Sequence, residues 1–437
     1  MSDEGPAPNE QMAAYREAVS SGLYAKKTGL VGKYDNVRQY WEDEVTRQFL
    51  QPHLIRLLGR VRRRMRRLRI MDLGCGSADG FELLTGVRER ESNLEDSEVD
   101  LLTPDVLGAY RGVDLSPDLL AQARGIYGRN PKVSFEQADF TEGLPLDPSE
   151  APYDLYFTSY GTFSHHNEDE TAVRLLADIA QRTDDYCLIV CDWLGRYSYE
   201  WQTLWTNDLA EHRNMDYIVS YIYEEEEREA RRDELQHLLL RLMSRQEAEA
   251  VVAQASERAG VSIRPLVYFD RSVLTGRHMD TGEYNPHAQP MRRTVNSLHE
   301  ANTRTDLATV KLDYVPRRGF DFLNNYFEHL QACWNTLIDY VQALLSDYDE
   351  TAGTLRTEPP PPLPTYPRPL VEAMVRMRRV VEGVGWMGVG LPRENVIEPQ
   401  LGYTLRNIVM QLQTGCGAGH GLCGILEVDK TEGGPQT

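Results

Sequence analysis

Asp72, Asp114 and Asp139 each close a short apolar run, and each is followed at once by residues that turn the chain. In IMDLGCGSADG, from Ile70 to Gly80, the acid precedes Gly74, Cys75 and Gly76. Glycines there permit a tight turn and let a ligand approach the backbone closely. The N–H groups of a helix that starts after such a turn, with its dipole, suit a carboxylate or a phosphate. In GVDLSPDLLAQAR, Asp114 precedes Leu115 and a helix that Ser116 or Pro117 can start. An acid in that position can accept hydrogen bonds from both hydroxyls of a ribose. In VSFEQADF, Asp139 can accept from the exocyclic amine of an adenine, and Phe140 can pack on the base. A glycine turn alone is common. The informative feature is the order: glycine turn, acid, then acid plus aromatic, at three successive run ends.

Strands must carry those acids. LRIMDL, AYRGVDL, KVSFEQADF, YDLYFTSY, YCLIVCDW and SIRPLVYF are short, rich in β-branched or aromatic residues, and separated by helical patterns. The alternation predicts an α/β fold: a Rossmann-like, doubly wound, mostly parallel sheet with helices on both faces. In such sheets the ligand sits at the carboxyl ends of the strands. DLGCGSADG lacks the G-x-G-x-x-G spacing, which argues against a nicotinamide cofactor.

Composition narrows the partners. The 437 residues carry a net charge of -20, which repels phosphate backbones, so DNA is not an expected partner and RNA is disfavoured. The run RVRRRMRRLR, Arg60 to Arg69, reads as a solvated helix end, since helix C-termini favour cations; the competing reading is a nucleic-acid or acidic-lipid patch. Cys75, Cys187, Cys191, Cys333, Cys416 and Cys423 are scattered, as reduced thiols in a cytoplasm are. The acidic, polar start MSDEGPAPNEQ is no signal peptide. No apolar run approaches the roughly 20 residues that span a bilayer. A cytoplasmic protein with no membrane partner is expected.

With these motifs in order, DLGCGSADG, GVDLSPDLLAQAR, VSFEQADFTEGLP and YDLYFTSYGTF, the sequence resembles the class I S-adenosylmethionine-dependent methyltransferases over roughly residues 34–270. The resemblance implies a methyltransferase with S-adenosyl-L-methionine as cofactor. It assigns the first loop (Asp72, Gly74, Cys75, Gly76) to the methionine part, Asp114 and Leu115 to the ribose, and Asp139 and Phe140 to the adenine. Ser159 would lie beside the methyl group, and Arg38 and Tyr40, with Tyr34, would belong to an N-terminal lid. In that fold FTSYGTFSHHNEDE crosses the cofactor, so Tyr160, His165 and His166 are the catalytic candidates and Thr162 lines the acceptor. A histidine near neutral pKa can take a proton from a hydroxyl or amine; the alternative is that both histidines cap or coat a helix.

Asp192 and Trp193, at the end of YCLIVCDW, border the same pocket. Arg271, Arg277, His278 and Tyr284, in DRSVLTGRHMDTGEYNP, are acceptor-binding candidates, with a structural salt-bridge loop as the alternative. Cys416, His420 and Cys423 in TGCGAGHGLCG offer three soft ligands where a closed zinc site takes four. That stretch reads as a Gly-rich hinge, and no metal is expected.

Three regions follow: an N-terminal helical lid (1–60), a cofactor-binding domain (61–275) with a helical insertion near 208–243, and a mainly helical C-terminal extension (276–437) that binds the acceptor or packs on the core. Pro52 is expected to break or restart the first helix. The expected activity is methyl transfer to an O, N or C nucleophile of a small molecule. The competing functions are an RNA-cap or other macromolecular methyltransferase and a non-catalytic binder of the cofactor. The sequence leaves the oligomeric state open.

Overall fold

A computed structural model describes residues 34–90, 98–223, 225–349, 354–361 and 363–431. The first ten residues, read as disordered, lie outside them, as do the start of the N-terminal lid and most of the acidic insert ESNLEDSEVD. The main strands are β1 (Leu68–Leu73), β2 (Leu107–Asp114), β3 (Val133–Gln137), β4 (Leu155–Phe157), β5 (Tyr186–Gly195), β6 (Asn214–Ile218), β7 (His237–Met243), β8 (Ile263–Arg271) and β9 (Gly421–Asp429). The main helices are α1 (Asp43–Arg63), α2 (Asp79–Thr85), α3 (Pro117–Tyr127), α4 (Asp169–Arg182), α5 (Arg245–Ala259), α6 (Asp321–Asp347), α7 (Arg368–Gly383) and α8 (Glu398–Leu412).

Strands β3-β2-β1-β4-β5 lie side by side and run parallel. β9 then pairs antiparallel with β5, and β8 antiparallel with β9. Chain order reverses between β1 and β4, so the sheet is doubly wound and Rossmann-like. Side-chain alternation wraps it on both faces. Ile70, Leu188, Val190 and Ile425 join a core with α1 and α2. Their neighbours Met71, Ile189 and Leu426 join the core of α4 and α5. Cys187 and Cys191 are buried strand residues of that second face. A third core is helical: Trp334 and Leu337 of α6 meet Met377 of α7 and Leu401 and Leu405 of α8, and the cluster takes in Val37 and Trp41.

Several expectations need correction. The stretch 208–243 is not a helical insertion. It carries β6 and β7, an antiparallel pair, with the short helix Glu225–Ala230 between them. Leu238, Leu240 and Leu242 alternate along β7 at the strand period, and the acidic run before them masked that signal. Pro52 does not break α1, which is continuous through it. The missing N–H of Pro52 costs a helical bond, but Leu50, Leu54, Leu57 and Leu58 hold the helix on the sheet. The mainly helical C-terminal region also supplies a strand, because β9 lies between β5 and β8. Helix α5 starts at a reciprocal capping box of Ser244 and Glu247, and Gly260 ends it with φ +63.

Four of the seven arginines in the basic run face carboxylates. Arg60 faces Asp429, Arg66 faces Asp154 and Arg69 faces Glu150, at 2.6, 2.8 and 3.1 Å, and Arg64 pairs with Asp185. No helix among the described residues is long and apolar enough to cross a membrane.

The N-terminal segment is tied down by one cation. Arg292, on the short helix Met291–Ser297, donates to both oxygens of Asp35 at 2.6 and 2.7 Å and to Glu42 at 2.7 Å. All three residues are buried. Removing the cation takes from the buried Asp35 its ion-pair partner and from Glu42 its nearest one. Arg292→Ala is therefore expected to lower unfolding stability by about 3–5 kcal/mol, read as a fall in the urea midpoint.

Candidate functional site

The carboxyl ends of β1, β2, β4 and β5 open on one cavity of about 220 Å³. Gly74, Cys75 and Gly76 reach it from the turn after β1, and Asp114, Leu115 and Ser116 from the end of β2. Phe140 follows β3, while Ser159, Tyr160, Gly161, Thr162 and His165 follow β4. Arg38 and Glu42 approach from the N-terminal side. The opposite wall is built from Tyr217, Val219, Tyr221, Ile222, Leu238 and Leu240, with Arg271, Arg277 and His420 beside them.

The glycine turn is shaped by its neighbour. Gly74 has φ +71, and a Cβ there would lie 2.4 Å from Cγ2 of Thr162. Only glycine fits both the dihedral and the space. The Asp114 carboxylate pins the turn to β2. Oδ2 accepts from the Gly76 N–H and Oδ1 from the Ser116 N–H, both at 2.8 Å. Burial pushes the Cys75 thiol well above its ordinary range, and Asp72, Asp114 and Asp79 push it the same way, so it stays protonated.

Arg38 is buried among acids and rings. It meets Asp79 at 3.1 Å, and its guanidinium lies 3.7 Å from the Tyr160 ring centre. Tyr160 has φ +56 and is held from three sides. Its N–H donates to Asp192 at 2.7 Å, its hydroxyl donates to Asp43 at 2.6 Å, and Arg271 lies 5.0 Å over its ring. Burial of Glu42 disfavours its charge, but Arg292, Arg277 and Arg271 outweigh this and hold it well below the carboxylate range.

Not every expected residue reaches the cavity. Asp72 is fully buried behind the turn, where the Tyr110 hydroxyl donates to it at 2.5 Å. Asp139 lies outside the lining; its Oδ1 accepts from the Thr141 N–H at 2.8 Å, capping the turn that presents Phe140. Tyr40 packs instead on His299 and Tyr403, at 5.0 and 5.9 Å. His166 points into the core, edge-on to Phe140 and Phe163. His165 does line the cavity, but burial lowers it to about 4, a weak proton acceptor at neutral pH. The Tyr160 hydroxyl, spent on Asp43 and raised by burial, is no base either. Asp192 and Trp193 lie behind the wall, Asp192 paired with Arg271 and Trp193 against Phe163. His278 and Tyr284 pack on one another at 4.9 Å, away from the lining.

Asp79, Glu42, Tyr217, Tyr221 and His420 also line the cavity, although none of them is among the residues chosen for it from the sequence. Asp79 carried a signal, as the first acid of the helix after the glycine turn. The others come from distant segments. Cys416, His420 and Cys423 do not converge: the Cys416 N–H donates to Asp270, His420 meets Glu200, and Cys423 is in β9. Among the described residues no group of three or more His, Cys, Asp or Glu could hold a metal.

No family model and no curated protein matches the sequence. Solved structures do resemble the fold at a distance. One is an S-adenosylmethionine-dependent methyltransferase from Clostridium acetobutylicum: 12% identity, TM-score 0.35, covering 54% of this chain and 86% of that one. Another is SAM-bound CalS10, an amino pentose methyltransferase from Micromonospora echinaspora: 16% identity, TM-score 0.31, covering 60% and 93%. A third is a putative sarcosine dimethylglycine methyltransferase from Galdieria sulphuraria: 12% identity, TM-score 0.34, covering 65% and 89%. Likenesses this remote carry no functional weight; the strand order above is what defines the Rossmann-like fold.

Burial pushes Asp72 up to about 8, with Asp79 and Asp114 adding to the rise and the Tyr110 hydroxyl opposing it. Its carboxyl is then neutral in the fold at pH 7 and ionised in the unfolded chain. Stability is fully present below the unfolded pKa near 4 and falls as pH rises towards 8, by at most about 1.4 kcal/mol per unit. Asp72→Asn should remove that slope. Thermal unfolding at pH 5 and pH 8 is expected to separate the variant from the parent more at pH 8, with the variant the more stable there.

Proposed function

We propose that the protein is an S-adenosylmethionine-dependent methyltransferase acting on a small molecule. The observation that carries this reading is convergence: the Gly74–Gly76 turn, Asp114, Phe140 and Ser159, from the ends of successive strands, line one cavity. These residues fit the cofactor. The bare Gly74 backbone leaves room for a close approach, and Asp114, an acid at the end of β2, is the residue type and position that accepts from ribose hydroxyls. Phe140, Leu115 and Leu119 supply apolar contact for an adenine.

The cofactor, when bound, supplies a methyl group already activated on a sulfonium. The protein's part is orientation and exclusion of water, worth several kcal/mol of a barrier. Ser159 and Thr162, beside the glycine turn, stand where the two halves of the cavity meet. Val219, Ile222, Leu238 and Leu240 keep the far half apolar, and Arg277 and His420 place polar groups in it. A lined recess of this kind suits a small molecule with an apolar body and one or two polar groups. Carboxylates neutralise four of the seven arginines in the Arg60–Arg69 run, which weakens the case for a nucleic-acid acceptor.

Isothermal titration with S-adenosylhomocysteine tests the reading without needing the acceptor. The parent protein is expected to bind it. Asp114→Ala should weaken binding about 10–100-fold through the lost charge-assisted hydrogen bonds, and Gly74→Ala should weaken it as well because Thr162 blocks the added methyl. No heat of binding to the parent, or equal affinity in Asp114→Ala, would overturn the assignment.

A further inference from the structure

The far half of the cavity contains an oriented histidine that the cofactor site does not use. His420 lines the cavity and is 8% exposed. Its Nδ1 lies 2.8 Å from Oε2 of Glu200, a carboxylate 1% exposed. Glu200 is itself fixed. The Ser198 hydroxyl donates to Oε2 at 3.0 Å, and the His278 N–H donates to Oε1 at 2.5 Å. Gly276 leaves the space the carboxylate occupies, since a Cβ there would lie 1.9 Å from Oε2. Burial of Glu200 works against its charge, but His420, His278 and its hydrogen bonds outweigh this and lower it, so it is ionised at neutral pH.

The histidine's backbone is equally constrained. Asp270, at the end of β8, accepts the N–H groups of Cys416, Gly417 and Ala418 at 3.1, 2.8 and 2.9 Å. The His420 carbonyl accepts from Gly195, and its N–H donates to Ser272. Trp201 and Tyr217 lie against the ring, at 5.5 and 6.2 Å. An ionised carboxylate at Nδ1 fixes the tautomer with its proton there and leaves the Nε2 lone pair as the basic site. It also stabilises the imidazolium formed when Nε2 takes a proton, the logic of a base oriented by a buried acid.

We infer that His420 is the general base for a hydroxyl acceptor with an apolar, ring-sized body, and that Glu200 is its positioning residue; this rests on the function proposed above. A neutral hydroxyl is a weak nucleophile, and its oxygen gains strength as its proton leaves, whereas an amine that is already unprotonated attacks without a base. A base fixed by a buried acid therefore serves a hydroxyl acceptor best. The O–H bond breaks and its proton goes to Nε2. The oxygen electron pair forms the new bond to the methyl carbon, and the C–S bond breaks with its pair remaining on sulfur as a neutral thioether. The imidazolium then returns its proton to solvent.

The test reads proton transfer at equilibrium rather than turnover. Full-length protein is saturated with S-adenosylhomocysteine and titrated with 4-nitrophenol, whose phenolate absorbs in the visible. The apparent pKa of the bound probe is expected to fall by about one unit or more. His420→Asn should abolish the shift and Glu200→Gln should reduce it, with S-adenosylhomocysteine affinity unchanged in both, which also reports that the variants are folded. Two outcomes would overturn the inference while leaving the cofactor assignment intact: no probe binding to protein that binds S-adenosylhomocysteine, or a shift that persists in His420→Asn, which would assign it to a cation such as Arg277. Failure of the parent to bind S-adenosylhomocysteine would instead remove the function on which the inference rests.

Discussion

The cavity depends on one buried ion pair at the tips of β5 and β8. Arg271 donates to both oxygens of Asp192 at 2.6 and 3.2 Å, and both side chains are almost fully buried. Charges so deep in protein are tolerable only when paired and hydrogen-bonded. Asp192 therefore also accepts the Tyr160 N–H, and Arg271 lies over the Tyr160 ring. The two charges satisfy each other and, in doing so, fix the chain reversal after β4. That reversal carries Ser159, Thr162 and His165 to the cavity wall. β9 is the strand between the two partners, so the C-terminal end of the protein is part of the frame that holds the site.

The two halves of the cavity use different physics. On the glycine-turn side the lining is backbone and short side chains held by one another, as in the bonds from Gly76 and Ser116 to Asp114. On the far side the wall is the β6–β7 pair, whose alternate residues turn apolar chains inward. A cavity so divided suits one invariant polar ligand beside one variable apolar ligand. Histidines illustrate the division. His165 and His166 are kept neutral by burial, whereas His420 has a carboxylate at one nitrogen.

Buried acids of the same fold end up in opposite states. Asp72 is buried with one hydroxyl partner and sits high, at about 8. Glu42 is just as buried, yet three arginines hold it ionised. Asp270 lies between these cases: burial raises it to about 6, against the backbone N–H bonds of the 416–419 turn. Residue type and burial alone do not separate these acids; the number and sign of neighbouring charges do.

What the sequence determined by itself was the half of the protein built from local signals. Strand–helix alternation, the turn of Gly74 and Gly76, Asp114 before a helix capped by Ser116, and the Ser244–Glu247 box are all written within a few residues of one another. They locate the doubly wound sheet and the edge of it that faces a ligand. The tertiary structure alone decided which side chains share that edge. Glu200 and His420 are 220 residues apart and meet at 2.8 Å because β9 returns to the sheet between β5 and β8. Adjacent residues such as His165 and His166 diverge, one to the cavity and one to the core, because a single step along a turn reverses the direction of a side chain. Short-range preferences fix elements and their ends; which elements pack together, and so which distant groups meet, is set by burial summed over the whole chain.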